Sequence, residues 1–361
     1  MTEPVVTVDA MTTHEPDFAL NRPGALIAAL PAVLGFVPEK SLVLVTIEDG
    51  LLGAVMRADL SEDLTGRVDD LARLAAMADP EAAIAVIVDA EGAQCPGCNE
   101  DHRLLCGALA DALAQHGIEH YAAHVVDFVV AGGRWHCVDG CGASGQIDDP
   151  SASPLAAAAV LEGRRLYARR ADLQAVIAPD TARSAALAWA VDQAARARAI
   201  EHDADPTGCS RRDVENAMAV AARVSDGELL SDGDLAEVGC ALTDVQVRDT
   251  LYALAVGEDA DAAESLWALL ARLLPLPWRI EALVLLAFSA YVRGDGPLAG
   301  LSLDAALRDD PQHRMAGMLD QALQSGLRPN DIRRLGGTGY RLAEQLGVRL
   351  PPRQSFGQRA G

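Results

Sequence analysis

The sequence predicts an α/β domain with a mixed sheet, followed by an all-α domain that contains a tetratricopeptide-like helical hairpin. Up to about residue 150, short apolar and β-branched runs alternate with segments of helical period, a pattern typical of layered α/β domains. Beyond that point the strand signal ends and helical periodicity continues. Half of the residues are hydrophobic but only 4% are aromatic, so alanine and leucine carry the apolar content and favour helices.

The predicted organisation has four parts. Residues 1–20 are polar and aperiodic, which indicates a flexible leader. Residues 21–150 form the α/β domain, and residues 151–349 form the helical domain. The joint between them, at 148–154, is rich in turn-forming residues and holds two prolines. Residues 350–361 are rich in proline, arginine and glycine, which predicts a disordered tail.

The α/β domain begins with a short apolar helix. Asn21 can cap it and Pro23 lies in its first turn, where a missing N–H costs nothing. Pro31 removes a helical hydrogen bond and is expected to bend or break the helix. Gly132 and Gly133 form the turn of a predicted hairpin. Apolar runs predict strands at 41–47, 53–60, 82–89, 121–130 and 134–138, with helices at 61–78 and 103–116.

The second domain is predicted as helices in close succession. Their ranges are 155–170, 181–202, 211–224, 245–256, 260–274, 279–292, 297–307 and 313–323. One pair matches a tetratricopeptide signature whose positions, counted back from Pro311, hold Leu286, Gly294, Ala299, Ala306 and Leu307. Because a solenoid needs about three repeats to bury its faces, we expect a compact domain with one or two such hairpins.

The charge balance restricts the partners that this chain is expected to bind. The net charge of −22 opposes a polyanion, so no nucleic-acid partner is expected. No apolar run reaches the ~18 residues that would span a bilayer, and no secretory signal is recognised at the start. The seven cysteines are an odd number, which favours a reducing compartment. We therefore expect a cytoplasmic, acidic protein that does not contact membranes.

Four motifs resemble one known family. They are LPAVLGFVPEKSLVLV from Leu30 with the following Arg57-Ala58-Asp59-Leu60, GGRWHCVDGC from Gly132, SPLAAAAVLEGRRLYARRADL from Ser153, and YVRGDGPLAGLSLDAALRDDP from Tyr291. Together they resemble the actinobacterial domain of unknown function 4192 over roughly residues 20–325. The resemblance implies a shared fold and nothing catalytic.

Two close cysteine pairs predict a metal site. Cys95 and Cys98 have the two-residue spacing with which two thiolates grip one Zn²⁺, and Cys137 and Cys141 flank a turn that suits a metal knuckle. Four thiolates would close a structural zinc site, with His102 or His136 as possible substitutes for one of them. Two alternatives stay open. Cys-Pro-Gly-Cys before a helix is also typical of thioredoxin-like redox motifs, and all four thiols can be unliganded.

No nucleophile, base and acid can be assembled from the sequence, so the chain is interpreted as a non-enzymatic interaction or regulatory module. A possible protein partner would bind the helical domain, and the oligomeric state is open. The alternative is an enzyme or small-ligand binder that uses a cleft near the turn from Phe36 to Lys40 and the charged pair Arg57 and Asp59. These two side chains share one face of a predicted strand, which favours a plain ion pair.

Overall fold

The computed structural model describes residues 9–10, 22–161, 164–325 and 327–354. The predicted leader lies outside these ranges except for residues 9–10, as does the tail beyond residue 354. The chain divides into two compact units, one of Met1–Leu173 with Gln321–Arg328 and the other of Gln174–Asp320 with Pro329–Gly361. The four domain boundaries read from the sequence stay predictions.

The first unit contains a mixed sheet, as predicted. Its strands are β1 (Asp9–Ala10), β2 (Ser41–Glu48), β3 (Leu51–Asp59), β4 (Ala82–Val88), β5 (Glu119–Val126), β6 (Arg134–Cys137) and β7 (Ser144–Gln146). Their order across the sheet is β1-β3-β2-β4-β5-β6-β7. The strands β4 and β5 run parallel, and the other neighbouring pairs are antiparallel. A helix crosses between the two parallel strands, as the parallel connection requires.

Strand alternation gives the sheet two distinct faces. One face carries Leu42, Ile87 and Val125 and packs with apolar residues of the helices α2 (Val68–Ala75) and α3 (Pro96–Gln115) in one core cluster. Residues on the other face, such as Val43 and Val86, are also completely buried. Because both faces are buried, the central strands are continuous apolar runs rather than alternating ones.

The first helix differs from its prediction at one residue. The helix α1 (Pro23–Leu34) continues through Pro31 and ends at Gly35, which adopts a left-handed conformation. The expected break at Pro31 is therefore wrong. Every residue from Leu26 to Leu34 is buried, so packing along the whole helix compensates for the hydrogen bond that the proline removes. The helix α4 (Pro154–Leu161) also belongs to this unit.

The second unit is helical, as predicted. Its helices are α6 (Thr181–Ala204), α7 (Pro206–Ser225), α8 (Asp232–Ala241), α9 (Val245–Leu251), α10 (Ala260–Leu273), α11 (Trp278–Arg293), α12 (Gly296–Asp309) and α14 (Pro329–Leu346); α5 (Arg170–Ala175) and α13 (Arg314–Gln324) each contain a boundary between the units. The sequence analysis did not predict α8 and α14. In α14, Gly336 and Gly339 lie so close to Val256 and Thr250 that a Cβ would clash, so tertiary packing outweighs their low helix propensity.

The predicted hairpin corresponds to α11 and α12. Gly294 joins them in a left-handed conformation, and Asp295 caps α12 by accepting a hydrogen bond from the backbone N–H of Leu298 at 3.1 Å. Ala299 and Ala306 are completely buried, which permits close packing of the helices. Its assignment as a tetratricopeptide-like hairpin stays a prediction. No helix in the described ranges is sufficiently long and apolar to cross a membrane.

Candidate functional site

The turn after β6 brings together three groups that can hold a metal ion. The thiols of Cys137 and Cys141 and the carboxylate of Asp139 place their ligand atoms within 4.8 Å of one another. Gly140 and Gly142 both have positive φ, at +75° and +84°, and this conformation folds the turn back so that the two thiols meet. Glycine adopts it at little cost, whereas other residues are strained there.

Hydrogen bonds hold the carboxylate between the thiols. Asp139 accepts a hydrogen bond from the Cys137 thiol at 2.7 Å and one from the backbone N–H of Cys141 at 3.1 Å. These bonds lower the pKa of Asp139, with the Cys137 thiol as the main cause. Desolvation, followed by the bond to Asp139, raises the pKa of Cys137 to about 12. A bound cation would replace the thiol proton and remove this penalty, because metal ligands bind as thiolates.

A histidine lies beside this turn on the neighbouring strand. His124 of β5 is the direct cross-strand partner of Cys137, so the two side chains project from the same face of the sheet at close range. Its ring packs edge-on against Trp135 at 5.0 Å between centroids. His124 is 6% exposed, and within the part of the chain that the structure describes its Nδ1 atom has no hydrogen-bond partner. Burial lowers the pKa of His124 to about 4, so the imidazole is neutral at pH 7, the form in which it binds metals.

The other cysteine pair begins α3. Cys95 is the N-cap of that helix, Pro96 follows in its first turn, and the Cys95 Sγ atom accepts a hydrogen bond from the backbone N–H of Cys98 at 3.5 Å. This bond is the main reason why the pKa of Cys95 is lowered, whereas the side-chain hydrogen bond with Cys95 raises the pKa of Cys98. Both residues are partly exposed, so reagents can reach the thiols.

A polar pair of one half-buried and one buried side chain lies next to Cys98. Asp89 follows directly after β4, and its Oδ2 atom is 3.2 Å from Nε2 of His102. Their side chains are only 14% and 8% exposed. A Cβ built on Gly92 would lie 2.0 Å from Oδ2 of Asp89 and 3.1 Å from Cβ of Cys98. The carboxylate and the Cys98 side chain therefore border the same small space.

The two cysteine pairs face different sides of the sheet. His136 lies on the α3 side of β6 and contacts Oδ1 of Asn99 at 3.0 Å, one residue after Cys98. Since successive side chains alternate along a strand, Cys137 projects from the opposite face, with His124. Neither Cys95 and Cys98 nor His124 are members of the group formed by Cys137, Asp139 and Cys141. The four-cysteine zinc site stays a prediction.

The remaining thiols and the alternative site also have clear positions. Cys106, Cys209 and Cys240 are buried, as expected for small core residues.

Arg57 is buried and donates to Asp59 at 2.5 Å and to the backbone carbonyl of Glu39 at 3.3 Å, which confirms the predicted ion pair.

The guanidinium of Arg57 also lies 6.0 Å from the ring centroid of Phe36. Its main partners are therefore protein groups of the same region. The small-ligand cleft that the sequence suggested at this place stays a prediction.

Sequence reasoning missed three of the polar residues described above. Asp139 lies between the two cysteines in the sequence, but acidic residues are so frequent in this chain that it carried no signal. His124 joins the turn only through the register between β5 and β6. Asp89 and His102 are 13 positions apart and meet because the loop after β4 returns the chain to the start of α3.

The fold and the site together define a class of protein: a mixed-sheet α/β unit with a Cys-Asp-Cys turn, continuous in sequence with a helical unit. The family described as Domain of unknown function (DUF4192) matches residues 23–330, and the chain belongs to this family. A search of the curated proteins finds no match, and neither does a search of the solved structures.

Proposed function

We propose that this protein is a zinc-stabilised binding module, in which one Zn²⁺ is held by Cys137, Cys141, Asp139 and His124. The observation that carries the proposal is the proximity of the ligand atoms of Cys137, Asp139 and Cys141, all within 4.8 Å of one another. His124 is not a member of that group, but it would supply the fourth ligand from the adjacent strand, where it lies directly across from Cys137.

The chemistry of the donors favours zinc. Thiolate, imidazole and carboxylate are the three ligand types that Zn²⁺ binds in proteins, and four of them complete its tetrahedral shell. A site of carboxylates alone would instead suit Mg²⁺ or Ca²⁺. With four protein ligands no position is left for water, so the proposed role is structural. The metal would fix the turn after β6, at the edge of the sheet where few neighbouring elements hold it.

Metal analysis of the full chain, purified without a histidine tag, tests this proposal. The native protein should contain about one zinc per chain, and the Cys137→Ser/Cys141→Ser variant should contain none. The matched control is Cys95→Ser/Cys98→Ser, which removes the same number of thiols from the same unit and should keep its zinc. Circular dichroism should show the helical content of all three proteins unchanged.

Two results would contradict the proposed site. Zinc in equal amounts in the native protein and in the Cys137→Ser/Cys141→Ser variant would show that the cysteines of this turn do not bind the metal. Loss of zinc from both double variants would instead support the four-cysteine site predicted from the sequence.

The binding role is proposed for the helical unit, and an exposed helix face supports it. Trp189 and Ile200 of α6 are 73% and 72% exposed, and their separation of 11 residues places them on one side of the helix. The exposed Gln193 and Arg196 lie between them on the same side of the helix, so this face combines apolar and polar groups. Large aromatic side chains are enriched in protein interfaces, so we propose that an amphipathic helix of a protein partner packs here.

Site-specific photo-cross-linking in cells tests this surface. A photoreactive phenylalanine at position 189 should yield one discrete adduct, which the added substitution Ile200→Ser should abolish. The control is the same photoreactive residue at Glu215 of α7, which is also exposed but polar, and which should yield no such adduct. Adducts that are equal at both positions, or that persist after Ile200→Ser, would contradict the proposed interface.

A further inference from the structure

The cysteine pair at the start of α3 is separate from the proposed zinc ligands and has a chemistry of its own. Cys95 and Cys98 are three positions apart at the beginning of a 20-residue helix, where side chains of this spacing are neighbours about 5–6 Å apart at Cβ. A disulfide requires Cβ atoms about 3.5–4.5 Å apart, so bridging the pair requires the two residues to approach by about 1–2 Å. The side chains of Cys95 and Cys98 already form a hydrogen bond with each other, so the two thiols are in contact before this movement.

The two thiols have unequal surroundings. The Cys95 sulfur is at the N-cap, where it accepts the N–H of Cys98 at 3.5 Å. The helix N-terminus stabilises negative charge, so Cys95 is the better nucleophile of the two. Cys98 lies one turn into the helix, beside the half-buried carboxylate of Asp89. A thiol in that position needs a proton acceptor before it can attack.

Asp89 and His102 provide that acceptor. The half-buried carboxylate lies 3.2 Å from the buried imidazole, and the Nδ1 atom of His102 is buried with no hydrogen-bond partner among the described residues. An incompletely satisfied polar pair in the interior costs free energy. Such a cost at this place is explained if the pair receives and releases a proton.

We infer that Cys95 and Cys98 form a redox-active dithiol that exchanges with disulfides, and that Asp89 with His102 accepts the proton of Cys98. In the first step the Cys95 thiolate attacks one sulfur of a substrate disulfide, whose S–S bond breaks and releases one thiolate. A mixed disulfide between Cys95 and the remaining half of the substrate results.

In the second step Cys98 gives its proton to the Asp89–His102 pair and attacks the Cys95 sulfur. The mixed disulfide breaks, the second substrate thiolate leaves, and a Cys95–Cys98 disulfide forms. The substrate gains two electrons and the protein loses two. A thiol reductant then restores the dithiol by the reverse exchange.

Equilibration of the full chain with buffers of reduced and oxidised glutathione tests the inference. After acid quenching and alkylation, trypsin separates the two cysteine pairs, because peptide 74–103 holds only Cys95 and Cys98 and peptide 135–164 holds only Cys137 and Cys141. We expect one reversible two-electron transition that places an internal disulfide in peptide 74–103. The Cys98→Ser variant should instead accumulate a glutathione adduct on Cys95.

The role of Asp89 is tested by the rate of the second step. In Asp89→Asn, the mixed disulfide on Cys95 should resolve at least about 10-fold more slowly at pH 7. This difference should shrink above pH 9, where solvent deprotonates Cys98 directly. A purely structural defect would slow the step equally at both pH values, which would overturn the assignment of Asp89.

Three results would overturn the proposal of a redox-active dithiol as a whole. It is overturned if peptide 74–103 stays reduced across the glutathione series, or if disulfides form equally in both peptides. Release of zinc on oxidation of Cys95 and Cys98 would also overturn it, because these thiols would then be metal ligands. The Cys137→Ser/Cys141→Ser variant should show the same transition in peptide 74–103 as the native chain, so failure of the zinc proposal leaves this test intact.

Discussion

The two cysteine pairs of the first unit have similar spacing but opposite surroundings. Cys95 and Cys98 begin a long helix, where backbone N–H groups lower the pKa of Cys95. Cys137 lies in a tight turn, where desolvation and a hydrogen bond to Asp139 raise the pKa of its thiol to about 12. One environment stabilises a free thiolate, and the other stabilises a thiolate only when a cation replaces its proton.

This difference shows that the spacing between cysteines does not by itself determine their chemistry. Both pairs fit a zinc knuckle by their spacing. The helix N-terminus distinguishes the first pair, and the Asp139 carboxylate with the neighbouring His124 distinguishes the second. Substitutions that affect one pair and not the other therefore test the account.

The largest expected effect concerns the two histidines next to the second pair. His124 shares its sheet face with Cys137, whereas His136 projects from the other face toward Asn99. Loss of an outer-shell partner already costs about 10–100-fold in metal affinity, so loss of a direct ligand should cost more. We expect His124→Ala to lower zinc affinity by at least about 100-fold, measured by competition with a chelating dye.

His136→Ala is the matched control and should change zinc affinity by less than about 2-fold. If the two variants bound zinc equally well, His124 would not be a ligand. A selective loss in His136→Ala would move the site to the α3 side of the sheet, next to Cys95 and Cys98.

The second expected effect is a difference in alkylation rate between Cys95 and Cys137 in the metal-free, reduced protein. A pKa of about 12 instead of the usual value of 9.0 lowers the thiolate fraction of Cys137 at pH 7 by about 1,000-fold. The greater nucleophilicity of that thiolate recovers about 30-fold. Cys95 should therefore react with iodoacetamide at least about 30-fold faster than Cys137, as followed by peptide mapping.

The pH dependence of the alkylation rate tests the direction in which the pKa of each thiol is shifted. The rate at Cys95 should reach half of its maximum below pH 9, because the backbone N–H of Cys98 lowers the pKa of that thiol, whereas the rate at Cys137 should still rise at pH 10. Equal rates at pH 7, or a plateau of Cys137 below pH 9, would remove the electrostatic difference between the pairs.

The smallest expected effect concerns the glycine that lies between the two cysteines of each pair. Gly140 has φ at +75° with open space around it, whereas a Cβ on Gly97 would meet only the Cys95 Sγ atom, at 4.0 Å. A left-handed conformation costs an alanine about 1–2 kcal/mol. Gly140→Ala should thus weaken zinc binding by about 5- to 30-fold if the free turn can relax, and Gly97→Ala should leave it unchanged. Equal affinities of the two variants would show that zinc does not require this turn conformation.

The sequence predicted the order of the helices and strands along the chain, but not which face of the sheet each side chain occupies. Buried strands were recognised from their apolar runs, whereas the pairing of the strands, such as the parallel pairing of β4 with β5, is seen only in the structure. Pro31 misled the prediction because propensity does not include the burial of the whole of α1. In α14, Gly336 and Gly339 concealed a helix that tertiary packing stabilises.

The candidate site was predictable only in part, for a geometric reason. Cys137 and Cys141 are near in sequence, so their proximity required no knowledge of the fold. The position of His124 depends on which residue of β5 pairs with Cys137, and a shift of one residue would turn its side chain to the other face. Whether Cys95 and Cys98 could join the second pair depends on the same alternation, which the spacing of cysteines does not reveal.

X-ray absorption spectroscopy at the zinc edge tests the central claim, that the two cysteine pairs serve different chemistry, most directly. The zinc-loaded full chain should show two sulfur ligands at about 2.3 Å and two nitrogen or oxygen ligands at about 2.0–2.2 Å. The spectrum should be identical in the Cys95→Ser/Cys98→Ser variant. Four sulfur ligands in the native protein, with two of them lost in that variant, would contradict the account and unite both pairs in one structural site.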